Sequence, residues 1–154
     1  MRQILKAACA ACISLGSLMA GALTLDIANP KTDAEAVSKN AAVVARMTAC
    51  KSPEKTTVSA TAESVAAGNR TSIPLKVIPL AVPGTFAVAH GWPKEGNWAI
   101  RVIATNPEYA GFTTSVLVPV NNNVVNWAAV KHIYHAPTAA EVDSVLTAQN
   151  LPHN

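Results

Sequence analysis

Imidazole is the reactive group most concentrated in this 154-residue chain, because His132-Ile133-Tyr134-His135 places two histidines three residues apart. On a helix that spacing puts both rings on one face, where their neutral nitrogens would suit copper(II) or zinc. His90 would supply a third ligand if the fold brought it alongside, with Cys50 as an outside candidate for a soft ligand and His153 close to the C-terminal end. The pattern matches neither a zinc-finger spacing nor Cys-x-x-Cys-His, and solvated or core-edge histidines are the commoner reason for such residues. Two expectations compete: a periplasmic metal-binding protein using His90, His132 and His135, and histidines that serve only the fold.

Other reactive patterns are missing. Gly-x-Ser-x-Gly is absent, the serines fall mostly on solvent-facing positions, and the few carboxylates are dispersed among turns and helix caps. No glycine-rich phosphate loop occurs. The sequence therefore points away from an enzyme, and no cofactor is expected. Binding is better served by the tryptophans, which can stack on a sugar or cover a peptide. Trp98 falls on an inward register, whereas Trp92 beside a turn and Trp127 are the candidates for an exposed platform. Asn69-Arg70-Thr71 matches an N-glycosylation acceptor, a pattern common by chance.

The elements that must position these residues read mainly as strands. From Pro83 to Thr105, Phe86, Val88 and His90 alternate with smaller residues, and so do Trp98, Ile100, Val102 and Ala104. That period of two, interrupted by Trp92-Pro93-Lys94-Glu95-Gly96, predicts one β-hairpin with a tryptophan on either side of its loop. Further strands are expected over Ala41 to Ala49, Thr56 to Val65, Arg70 to Leu80 and Phe112 to Val120. Pro74 cannot donate to a ladder and so places its strand at an edge or bulge. Six short strands separated by turn residues favour an antiparallel sandwich.

Helical signals flank this region. Thr32-Asp33-Ala34-Glu35 reads as a capping box opening a short helix in an N-terminal linker, residues 23–40. Val124, Trp127 and Ala128 recur as in a short amphipathic helix, although a strand also fits. Thr138 and Glu141 form a second capping box ahead of the stripe Val142, Val145 and Leu146, and the last residues, 150–154, read as frayed. The expected organisation is a β-sandwich over 41–120 and a C-terminal tail with a helix over 121–154.

Arg2 and Lys6 precede an uncharged run, Ala7 to Leu25, which contains the small residues Ala20-Gly21-Ala22. This is the grammar of a secretory signal cleaved after Ala22, with an uncleaved membrane anchor as the alternative. Cleavage removes Arg2 and Lys6 from the 12 basic residues, leaving 10 against 9 acidic ones and a net charge of +1. Scattered over one domain, such charges give no reason to expect nucleic acid as a partner. Cys9 and Cys12 fall within the signal, so Cys50 is either buried and inert or free to bridge a dimer. Secretion or a periplasmic location is expected, with no membrane span after cleavage.

Pro-Gly-Thr-Phe-Ala-Val, Trp-Pro-x-x-Gly-x-Trp and the strand Thr-Thr-Ser-Val-Leu-Val-Pro-Val resemble the late strands of small, uncharacterised secreted bacterial proteins with an immunoglobulin-like sandwich. The resemblance covers Thr56 to Val120 and rests on turn and core residues. It implies a mainly β, antiparallel immunoglobulin-like β-sandwich, followed here by the helical tail. Some such sandwiches handle copper, but beyond the signal this chain keeps only Met47 in place of methionine-rich ligand runs. The function expected is a non-enzymatic binding or structural module of the bacterial envelope, engaging a protein or a carbohydrate.

Overall fold

A computed structural model describes residues 23–150. The expected signal over 1–22, the frayed end past Asn150 and His153 lie outside the described residues. Among the described residues, ten strands form two antiparallel sheets. The first sheet contains β1 (Thr24–Ala28), β2 (Ala41–Thr48), β5 (Val77–Pro79) and β6 (Thr85–Ala89), in the order β1-β2-β6-β5. The second contains β3 (Thr57–Ala66), β4 (Asn69–Pro74), β7 (Asn97–Thr105), β8 (Thr113–Asn121) and β10 (Lys131–Ile133), in the order β10-β8-β7-β3-β4, with β9 (Val124–Val125) also paired to β8. Labelled A to G along the chain, with C′ after C, these orders are A-B-E-D and G-F-C-C′, the immunoglobulin arrangement.

That order overturns the expected hairpin. β6 pairs with β2 and β5, whereas β7 pairs with β3 and β8, so residues 90–96 cross from one sheet to the other. Period two identified the inward faces correctly, since Val88, Trp98, Ile100, Val102 and Ala104 are all buried in the central core. It could not identify the neighbours, because each strand had a better partner far away in sequence. The expected strand from Arg70 to Leu80 is likewise two, β4 at the edge of one sheet and β5 at the edge of the other. Leu75 sits in the crossover, where its N–H donates to the Ala60 carbonyl at 2.9 Å. Pro74 ends β4, on an edge as expected.

Several strands are apolar on both faces, and two helices explain why. α1 (Ala34–Ser38) buries Ala36 against Val44, Ala87 and Leu80 on the outer side of the first sheet. α2 (Ala139–Ala148) buries Val142, Val145 and Leu146 against Ala99 and Leu117 on the outer side of the second. Val142, Val145 and Leu146 each contribute about 1.5–3 kcal/mol when fully buried, and the alanines less. Glu63 points away from the central core, yet is 5% exposed. Arg70 at 2.9 Å and Arg101 at 3.2 Å hold its two oxygens, and Arg70 also bonds Asp143 of α2. A carboxylate covered by a helix is retained only with such pairing.

Other expectations change at the margins. Asp33, not Thr32, caps α1 by accepting from the Ala36 N–H at 3.0 Å, and Glu35 instead accepts from the Ala81 N–H at 2.9 Å. The N-terminal region contributes β1, which pairs with β2, and Leu23 and Leu25 lie in the core. β1, β9 and β10 thus extend the sheets on both sides of 41–120. Phe112, expected to begin the last strand, lies just before β8 and is 64% exposed. No helix among the described residues is long and apolar enough to cross a membrane.

Two glycines separate steric from conformational strain. Gly68, in the β3–β4 turn, has φ +79° and open space where a Cβ would lie, while Gly84 has φ +72° and a would-be Cβ only 2.5 Å from the Pro53 Cβ. Gly68→Ala should cost about 1–2 kcal/mol for the left-handed backbone alone. Gly84→Ala should cost clearly more, because Pro53 must also move; equal shifts in urea midpoint for the two variants would contradict the close contact.

Candidate functional site

The three histidines expected to converge occupy separate places. His132 lies on strand β10 rather than a helix, opposite Val116, and its Nδ1–H donates to the Leu25 carbonyl at 3.1 Å. It therefore ties the edge of one sheet to the edge of the other. His135 lies beyond that strand, donating from Nδ1 to the Ala136 carbonyl at 3.0 Å, with Nε2 3.4 Å from Glu141. His90 lies at the end of the sandwich and its Nε2–H donates to the Asn123 Oδ1 at 2.6 Å. Along β8, the distance from Val116 to Asn121 is about 17 Å at a rise of roughly 3.4 Å per residue. His90 and His132 cannot share an ion across that span. Among the described residues, no group of three or more His, Cys, Asp and Glu side chains is placed to hold one.

Trp92 is buried, 5% exposed, and is not the open platform its place beside a loop implied. Its ring stacks at a tilt on His90, with centroids 4.3 Å apart. Trp98 is buried as expected, its Nε1–H donating to the Glu95 carbonyl at 3.0 Å. Trp127 is 38% exposed on a short 3-10 turn, Trp127–Ala129, where an amphipathic helix was the other reading. Cys50 is half-buried, and its sulfur accepts from the Asn106 Nδ2 at 3.2 Å.

Two cavities share Val125 as a wall. The larger, about 680 Å³, lies between the C-terminal half of α2 and the segment from β8 to β10. Pro119, Val124, Val125, Ala129, Val145 and Ala148 make its apolar walls, and Asn121, Asn122, Asn126, Lys131 and Gln149 supply polar groups. That composition is the usual one for a ligand cleft. The smaller, about 370 Å³, contains His90, Trp92, Lys94, Asn40 and Asn123.

The turn between β8 and β9 is rigid for local reasons. Asn122 and Asn123 have φ of 44° and 66°, both left-handed, as a two-residue hairpin turn requires. Asn122 exchanges two hydrogen bonds with Gly96, its N–H donating to the Gly96 carbonyl at 2.9 Å and its Oδ1 accepting from the Gly96 N–H at 3.1 Å. The turn is thus fastened to the loop that crosses between the sheets.

Two of the three buried polar atoms without a partner among the described residues belong to side chains that line these cavities. The three are Thr85 Oγ1, Trp92 Nε1 and Gln149 Oε1, and Trp92 and Gln149 each line a cavity. Gln149 is held in place by its other amide atom, Nε2, which donates to the Trp98 carbonyl at 3.1 Å. These cavity-lining residues were not legible as a set, since neither Asn40 nor Gln149 belongs to any motif. No protein-family model matches the chain, and no curated protein matches it.

The cleft depends on α2 being docked and capped. Thr138 and Glu141 form the expected capping box, the Glu141 carboxylate accepting from the Thr138 N–H at 2.8 Å and from its hydroxyl at 2.9 Å. The backbone bond first, then the hydroxyl, holds the Glu141 carboxyl below the ordinary 4.5. A depressed carboxyl stabilises the fold above its unfolded value and loses that contribution as pH falls through the folded value. Glu141→Gln should therefore be less stable than the wild type at about pH 6, with the gap narrowing towards about pH 3. Thermal midpoints of both proteins across that range check it; a gap independent of pH would contradict the ionised cap.

Proposed function

We propose that the chain is an exported, non-enzymatic binding module of the bacterial envelope that seats an apolar segment of a protein partner in the cleft between α2 and the β8–β9 turn. The observation that carries this reading is the chemistry of the cleft: apolar walls and, in the lining residue Gln149, a buried carbonyl oxygen, Oε1, that has no donor. An apolar side chain would fill the walls, and a backbone N–H beside it would meet the oxygen. Leaving such an acceptor unsatisfied costs about 1–3 kcal/mol, which a peptide donor would recover. A carbohydrate is the weaker choice, because no aromatic ring lines the cleft and sugars are gripped by aromatic faces.

Export is supported by Arg2 and Lys6, the apolar run and Ala20-Gly21-Ala22. Cleavage after Ala22 would leave β1, which starts at Thr24, intact in its sheet. Metal binding by His90, His132 and His135 gains no support from their separate hydrogen-bond partners.

A blocked Leu-Val-Leu amide titrated into the isotope-labelled protein should shift amide resonances of Val124, Val125, Ala129, Val145 and Gln149 saturably. Ala148→Trp, which fills the cleft from an exposed position, should abolish those shifts with little change in thermal midpoint. Absence of saturation in the wild type, or shifts unchanged by Ala148→Trp, would overturn the assignment.

A further inference from the structure

The geometry points to a second site at the same end of the sandwich: a pocket for a small oxyanion, carboxylate or phosphate, formed by Asn40, His90, Trp92, Lys94 and Asn123. These residues come from three separate stretches of chain and meet around a cavity of about 370 Å³. Every polar side chain in that wall carries an N–H, and none is a carboxylate; with the His90 N–H committed to Asn123, the donors are Lys94, Trp92 and the two asparagine amides. Lys94 brings a full positive charge, and the ion pairs among the described residues do not include it.

Trp92 gives the pocket its specificity. An indole N–H can only donate, and this one is buried without an acceptor in a residue 5% exposed. Buried tryptophan N–H groups ordinarily find a partner, so the missing group is an acceptor oxygen. Asn123 Oδ1 is not that oxygen: it accepts from the His90 Nε2–H at 2.6 Å, and no hydrogen bond joins it to Trp92. The same bond leaves the Asn123 amide N–H₂ as a further donor.

The backbone that carries these donors is held before any ligand arrives. His90 is fixed by its own N–H, which donates to the Asn40 carbonyl at 3.0 Å, and by stacking on Trp92. Asn40 and Asn123 both have left-handed φ, 55° and 66°, a conformation that asparagine tolerates better than most residues. The loop carrying Trp92 and Lys94 is fastened at Gly96 by Asn122 and at Glu95 by Trp98. Pre-placed donors around a charge lose little freedom on binding, which favours a small anion.

The test reads the indole N–H directly. Inorganic phosphate and succinate are titrated separately into the isotope-labelled protein, at constant ionic strength, with succinamide as the neutral counterpart of succinate. A saturable downfield shift of the Trp92 indole resonance with either anion, and not with succinamide, supports the site; which anion acts identifies the oxyanion. Trp98 and Trp127 should not respond. Lys94→Gln, at an exposed position, should weaken the response about five- to tenfold, as expected for loss of one charge-assisted bond. Trp92→Phe keeps a ring against His90 and should remove the selectivity for the anion. No saturable shift with either anion, or an equal response to succinamide, would overturn the proposal, and so would a Lys94→Gln protein that binds as the wild type does. Ala148→Trp lies in the other cavity and should leave this response unchanged.

Discussion

The structure depends on how the chain crosses the core between β6 and β7. Ala89 ends in one sheet and Asn97 begins in the other, and facing sheets are about 10 Å apart. The seven residues 90–96 cover that gap and also close the end of the core, with Trp92 turned in beneath the loop and Trp98 at the start of the next strand. A tight hairpin there would have put both strands in one sheet and left the interior open at that end. The crossing has a second effect, since its far end is bonded to the β8–β9 turn through Gly96 and Asn122. Both cavities are built around that junction.

Two outer helices then set the chemistry of the surface. Without α2, Ala99 and Leu117 would face solvent, and the wall formed by Val145 and Ala148 would be absent from the larger cleft. Docking the helix also required the outward charges of β3 and β7 to be neutralised locally. Arg70 and Arg101 converge on Glu63, and Arg70 extends to Asp143, so the helix is joined to the sheet by apolar packing and by an ionic clamp. On the other sheet, α1 is too short to form a comparable wall and covers Val44, Ala87 and Leu80, with Ala28, Ala41 and Ile78 at the margin.

Inward faces were legible because a period of two is a local property. Val43, Ala45 and Met47, or Val116, Val118 and Val120, declare their side of a sheet without reference to any partner. The α2 capping box was legible for the same reason, with both of its residues within one turn. Strand partners were not, because Trp92-Pro93-Lys94-Glu95-Gly96 has the composition of a hairpin loop whether or not the chain turns back on itself. The stretch from Val124 to His135 misled differently. β9 and β10 are too short to display a period, and the turn between them imitates a helical spacing. Once His132 is on a strand, its distance from His135 in sequence no longer implies a shared face. Trp92 and His90 stood out separately in the sequence, one as an exposed platform and the other as a metal ligand; the fold stacks them together, and their neighbours Asn40 and Asn123 come from other loops and carry no motif.

The most direct measurement is the set of cross-strand backbone NOEs around the crossing. β6 should show contacts only to β2 and β5, as in Val44 with Ala87 and Val77 with Val88. β7 should show them only to β3 and β8, as in Ala62 with Ile100 and Ile100 with Val118, with a further contact between Gly96 and Asn122. A continuous ladder of NOEs between β6 and β7 would mean a hairpin after all, and would remove the junction on which both cavities rest.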